Sequence, residues 1–163
     1  MGFNNRLTEQ QAWEKIQHFC AYQERSQSEV RTRLFSYGLH PDEVESLIAR
    51  LITEQFLNEE RFAKAFCGGK FRQKQWGKNK LIFELKKRQI SPRNIQIGLA
   101  EITDTAYQHT LNKWVHTLYH KTRKNTHNQF VLHQKIIQSL VNKGFEYELI
   151  KDAISEYELS LNT

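Results

Sequence analysis

The sequence predicts an all-α fold, three tandem copies of a three-helix unit forming an elongated, curved helical array, on three observations. Only two prolines and seven glycines interrupt 163 residues rich in Glu, Gln, Lys, Arg, Leu and Ile, so helix is the default state of most of the chain. One five-point apolar pattern recurs three times. The breaks between helices fall at equivalent places in each recurrence.

The pattern begins with Val30, Leu34, Leu39, Val44 and Ile48, whose separations are four, five, five and four. It returns as Leu81, Leu85, Ile90, Ile95 and Leu99, and again as Ile136, Leu140, Phe145, Ile150 and Ile154. Each copy reads as a helix whose last two inward residues lie one turn apart, a short turn plugged by an apolar residue, and a second helix. Gly38 and Gly144 stand just before the plug, where a helix end commonly needs a left-handed residue; the middle copy has Gln89 there. After the plug, His40 then Pro41, and Ser91 then Pro92, read as a cap followed by proline in the first turn. Ser26 and Glu29 form a capping box for the first pair.

A leading helix precedes each pair. The first runs from Thr8 to Gln23 with Trp13, Ile16 and Cys20 inward; the second from Asn58 to Gln75 with Phe62, Ala65 and Phe66. The third runs from Thr105 to Lys121 with Leu111, Trp114 and Leu118 inward. The predicted boundaries are 8–56, 57–102 and 103–157, and the offsets of 51 and 55 residues suit a three-helix unit with small loop insertions. Neighbouring units would pack through the leading helices.

No apolar run reaches the roughly 18 residues a membrane span needs, and Met1–Thr8 lacks the apolar core of a secretory signal. A soluble, cytoplasmic monomer is expected. Cys20 and Cys67 match no paired metal or redox spacing and read as small hydrophobes.

Charge locates the candidate binding surface. The chain carries a formal +6, but residues 1–60 hold six basic and ten acidic side chains, residues 61–93 eleven and one, and residues 94–163 seven and seven. The excess lies wholly in the middle copy. Its densest stretch of cations is Lys70, Arg72, Lys74, Lys78, Lys80, Lys86, Lys87, Arg88 and Arg93, with Trp76 among them. On a helix from Gly77 to Arg88, Leu81, Ile82 and Leu85 share one side, while Lys80, Phe83 and Lys87 lie opposite. Such a face neutralises phosphates, and an exposed aromatic stacks on a base or fills a protein pocket. Arg31 and Arg33 of the first copy are secondary candidates. Trp76 is expected to pack under its turn, with Gly77 supplying a positive φ, and Gly68 and Gly69 to mark a kink or a close helix contact.

Catalytic templates do not fit. A phosphate loop would need glycine where Arg72 stands and Ser or Thr where Asn79 stands. His109, His116 and His120 form a stripe on one helix, but without a metalloprotease glutamate or a cysteine cluster. No enzyme, cofactor or resident metal is expected.

The chain resembles the RecX family, bacterial regulators of the RecA recombinase. The resemblance is carried in the middle copy by Leu57, Asn58, Glu59, Glu60, Arg61, Phe62, Ala63, Lys64, Ala65 and Phe66. It continues through Trp76, Gly77, Lys80, Leu81, Glu84, Leu85 and Ile90. In the first copy it rests on Ser26, Glu29, Val30, Arg33, Leu34 and Gly38. It is specific in these two copies and extends to the third only as the apolar pattern. Gln89 in place of glycine, Asn58 in place of an acidic residue and the glycine pair after Cys67 depart from the family pattern.

The resemblance implies an array of three-helix units that binds the groove of the RecA filament on single-stranded DNA and restrains its recombinase, ATPase and coprotease activities without catalysis. RecA is then the expected partner, with single-stranded or duplex DNA as the second. A competing reading is a helical module acting directly on DNA or RNA, since short helix pairs with basic faces also describe helix-turn-helix readers. A zinc-dependent enzyme using the histidine stripe is a third.

Overall fold

A computed structural model describes residues 5–163; Met1–Asn4, half of the stretch assessed above for a secretory core, lie outside the described residues. Among the described residues there are nine α-helices and no strand. The first copy contains α1 (Glu9–Tyr22), α2 (Gln27–Ser36) and α3 (Pro41–Thr53). The second contains α4 (Glu59–Lys74), α5 (Lys78–Lys87) and α6 (Pro92–Leu99). The third contains α7 (Asp104–Arg123), α8 (Gln129–Asn142) and α9 (Tyr147–Leu161).

All fifteen residues of the recurring pattern are buried, none more than 8% exposed. The hydrogen bonds explain its spacing. In the middle copy Ile90 N–H donates to the Leu85 carbonyl and Gln89 N–H to that of Lys86; in the third, Phe145 donates to Leu140 and Gly144 to Val141. This is the Schellman closure of a helix, and it sets the first five-residue step between the last inward leucine and the plug. The second step comes from the next helix start. Val44, Ile95 and Ile150 donate to the carbonyls of the cap residues His40, Ser91 and Glu146. Each plug therefore stands just before a cap and each partner four residues inside the helix, the positions of a hydrophobic staple.

The caps follow the sequence. Ser26 Oγ accepts from Glu29 N–H, and the Glu29 carboxylate accepts from Ser26 N–H, closing the expected box. Thr8, Asn58, Ser91, Thr103 and Asn128 accept in the same way from the N–H three residues on. At α3 the Glu43 carboxylate accepts from His40 N–H, and this bond holds its carboxyl below the usual range.

Gly38 and Gly144 have φ of 82° and 100°, and Gln89 takes the same left-handed turn at 59°. A side chain costs free energy there that glycine avoids. Because Gln89 is exposed, Gln89→Gly is expected to raise stability by about 0.5–1 kcal/mol. Thermal unfolding checks this, and a lowered midpoint would count against it.

The leading helices turn differently from the prediction at several positions. In α4, Ala65 is exposed and Phe66 half-buried, while Phe62, Ala63, Cys67 and Phe71 face inward. In α7, Leu111 is buried as expected, but Trp114 and Leu118 are half-buried, and Tyr107, Val115 and Tyr119 share the inner face with Leu111. Polar rims and hydroxyl tips on tyrosine made the inner stripe hard to phase. Gly68 and Gly69 lie within the single helix α4. A methyl on Gly69 would meet open space, and the nearest atoms to one on the buried Gly68 belong to the guanidinium of Arg72, which folds back over it. Burial pushes the thiols of Cys20 and Cys67 up to about 11 and about 12, so both remain protonated and apolar in character.

The chain packs as two compact units, with α4 and α5 each contributing to both. Unit 1 comprises the described residues to Phe66 together with Leu85–Gly98; unit 2 comprises Cys67–Glu84 and Leu99–Thr163. The core of unit 1 is built on Trp13, Ile16, Val30, Leu34, Val44, Ile48 and Leu51. In unit 2 the fully buried side chains include Leu81, Leu111, Leu132, Ile136, Leu140, Phe145 and Ile150.

Candidate binding surface

In unit 2 the loop between α4 and α5 centres on Trp76. Lys70 of α4 places Nζ 5.4 Å from the centroid of its indole, and Lys80 of α5 places Nζ 4.6 Å away. The half-buried ring thereby holds two ammonium groups in one place, each attracted to the electron-rich face. Arg72 and Lys74 are exposed on the last turn of α4 and extend this cationic surface.

Gly77 is fixed for a different reason from the one expected. It has no positive φ; the left-handed residue of this turn is its neighbour Gln75, at 55°. Gly77 N–H donates to the Lys143 carbonyl at 2.8 Å, and Asn79 N–H donates to that of Gly144 at 2.9 Å. A Cβ on Gly77 would lie 2.2 Å from the Gly144 carbonyl carbon, so the two chain segments approach more closely than any side chain permits.

Lys78 is drawn inward. Its N–H donates to Tyr107 Oη at 3.0 Å, its Nζ sits 4.7 Å from the centre of that ring, and Asp104 lies 4.0 Å from Nζ. Tyr107 Oη in turn donates to Glu146 at 2.6 Å, and burial together with that carboxylate raises the phenol well above its usual range. Tyr107 is thus a positioning residue that the sequence did not reveal, because its partners are distant along the chain.

Along α5 the predicted faces hold. Leu81 and Leu85 are buried and Ile82 is half-buried, while Phe83 is 62% exposed and Lys86 and Lys87 are exposed. Lys80 is only half-exposed, since its stem runs beside Trp76 and Gly144.

In unit 1 several predicted cations are already engaged. Arg31 makes two bonds to the Glu45 carboxylate, at 2.7 and 3.2 Å, which raise the basicity of the guanidinium and lower the pKa of the acid. Arg88 Nε donates to Glu29 at 3.1 Å, and its guanidinium lies 4.9 Å from the Phe66 ring centre. Both arginines therefore have structural work, whereas Arg33 is exposed and lies 5.0 Å above Phe19.

The His116–His120 end of the histidine stripe on α7 meets Tyr157 of α9. His116 and His120 have ring centres 4.7 Å apart, Tyr157 Oη lies 2.7 Å from His120 Nε2, and His116 meets the Tyr157 ring edge-on. Among the described residues, no three His, Cys, Asp or Glu side chains converge as a metal site would require. No helix among them is long and apolar enough to cross a membrane.

Family models of the first, second and third three-helix domains of RecX match residues 12–51, 58–99 and 106–154. The chain belongs to the RecX family. Among its RecX relatives, the regulatory protein RecX of Lactobacillus johnsonii is 27% identical over 141 residues, covering 86% of this chain and 51% of the relative. That of Streptococcus equi subsp. zooepidemicus is 28% identical over 146 residues, covering 86% and 53%. The chain thus spans about half the length of these relatives. A crystal structure of RecX from Lactobacillus salivarius superposes with a TM-score of 0.82 at 23% identity, covering 93% of this chain and 97% of that one. A second RecX crystal structure gives 0.78 at 20% identity, covering 88% and 71%. At such identities the superpositions establish the fold of RecX for this chain.

Proposed function

We propose that this RecX-family chain modulates the RecA recombinase by binding the RecA filament on DNA, lowering its recombinase, ATPase and coprotease activities. The observation that carries this reading is the cationic surface of the middle copy, where Trp76 gathers Lys70 and Lys80 beside the exposed Arg72 and Lys74. Phe83 in unit 2 and, taken by themselves, Lys86 and Lys87 in unit 1 are further candidate contacts, while Arg31, Lys78 and Arg88 are engaged by their own partners. We take 8–56, 57–102 and 103–157 as the three three-helix repeats, the second of them strongly basic.

The mechanism is occupancy. A surface of this kind neutralises the negative charge of a nucleoprotein filament, and a protein seated there obstructs the homologous duplex and the clients of coproteolysis. No bond is made or broken by this chain. A titration of RecA's DNA-dependent ATP hydrolysis and strand exchange tests the reading: both rates are expected to fall at equimolar or lower ratios, and unchanged rates would overturn it. The exposed Phe83 ring among lysines favours a second reading, direct binding of nucleic acid. Tight binding to naked DNA with a steep salt slope, and no response to RecA, would establish that one instead.

A further inference from the structure

A groove in unit 1, lined by residues of α1, α2 and the end of α5, has a chemistry that charge counting did not single out. It encloses about 540 Å³. Ser28, Thr32 and Ser36 line it from α2, where their four-residue spacing sets three hydroxyls along one side of the helix. Phe19 of α1 lines it too, and its ring holds two guanidinium groups, Arg25 at 3.8 Å and Arg33 at 5.0 Å. Lys87 adds an exposed ammonium. The carboxylate in this lining, Glu29, is held by Arg88 and by Ser26 N–H, so the groove is cationic on balance. Tyr22, one turn beyond Phe19 on α1 and outside the groove lining itself, is 83% exposed.

We propose that this groove seats a single-stranded nucleic acid, with its phosphates along the hydroxyl row between the cations and a base stacked on Tyr22. Four residues of helix advance about 6 Å, close to the interval between phosphates on an extended strand. Ser36 Oγ donates to the Arg33 carbonyl and Ser28 Oγ lies 3.1 Å from Ser26 Oγ, local bonds that hydroxyl rotation exchanges for phosphate oxygens. An acidic peptide would satisfy the cations but would leave the Tyr22 ring without a purpose, whereas a base has a π-face for it. The site does not depend on RecA and is separate from the Trp76 cluster.

The test is fluorescence anisotropy of the full chain with a labelled oligo(dT) of roughly 15 nucleotides at several salt concentrations. The double variant Thr32→Glu/Arg33→Glu is expected to weaken binding by about tenfold or more and to lower the salt slope by about one. Tyr22→Ala is expected to weaken it by about fivefold with the slope unchanged. All three positions are exposed, so both variants should stay folded, with melting lowered only slightly by loss of the Arg33–Phe19 contact in the first. Unchanged affinity in both overturns the proposal. So does full competition by poly-glutamate with Tyr22→Ala silent, which would assign the groove to an acidic peptide. The variant Lys70→Glu/Lys80→Glu separates the two surfaces. If it alone abolishes oligo(dT) binding, the groove fails and the Trp76 surface stands; if only the groove variants lose binding, the groove stands without it.

Discussion

Gly77→Ala is expected to lower the stability of the fold by about 3 kcal/mol, which for a chain of this length moves the thermal midpoint down by roughly 6–12 °C. The added methyl would lie 2.2 Å from the Gly144 carbonyl carbon and 2.3 Å from Phe145 N. Backbone atoms cannot rotate away as a side chain can. Relief requires the Trp76–Gly77 segment to separate from the α8–α9 turn, breaking the bonds from Gly77 N–H to Lys143 and from Asn79 N–H to Gly144. It also moves Gly144, which is confined against the same segment because a Cβ there would meet Lys80 Cβ at 2.4 Å. Gly69→Ala is the reference, since its methyl meets open space within a helix that favours alanine. Differential scanning calorimetry of the two variants is the check. Equal midpoints would mean that the two segments are not closely packed.

The second large effect falls on activity. Lys70→Glu/Lys80→Glu is expected to raise the amount of protein needed for half-inhibition of RecA's ATPase by about tenfold or more, because it replaces two cations by two anions at one spot. The fold should survive. Each lysine contributes a cation–π contact with Trp76 worth about 0.5–1 kcal/mol, so the loss in stability is small beside that of Gly77→Ala. Circular dichroism melting run beside the ATPase titration separates the two effects. Undiminished inhibition by a folded double variant would remove the Trp76 surface from the proposed mechanism.

Reading the charge along the sequence placed Lys70, Lys74, Lys80 and Lys87 on the surface without showing which cations are already engaged. Arg88 looked equivalent to them and Arg31 secondary, yet each is held by a carboxylate from a different helix, Arg31 by Glu45 and Arg88 by Glu29. Lys78 is similarly drawn to Tyr107 and Asp104. A count of charges cannot distinguish a cation offered to a partner from one consumed within the fold. Tyr107 and the hydroxyl-lined groove beside Phe19 escaped for a related reason: single tyrosines and serines carry no sequence signal until helices bring their partners to them.

By itself the sequence determined the three-copy architecture, including where each helix pair breaks. The four, five, five, four spacing encodes a helix turn, a Schellman closure, a staple and another helix turn, and each of those is made among residues only a few positions apart. Interactions that short are legible in one dimension. Only the tertiary structure decided why Gly77 must be glycine, which face of α4 turns inward, and which lysines gather around Trp76. Those depend on close approaches between segments far apart in the chain, where the distance between two backbones, rather than the preference of either, sets what can stand there.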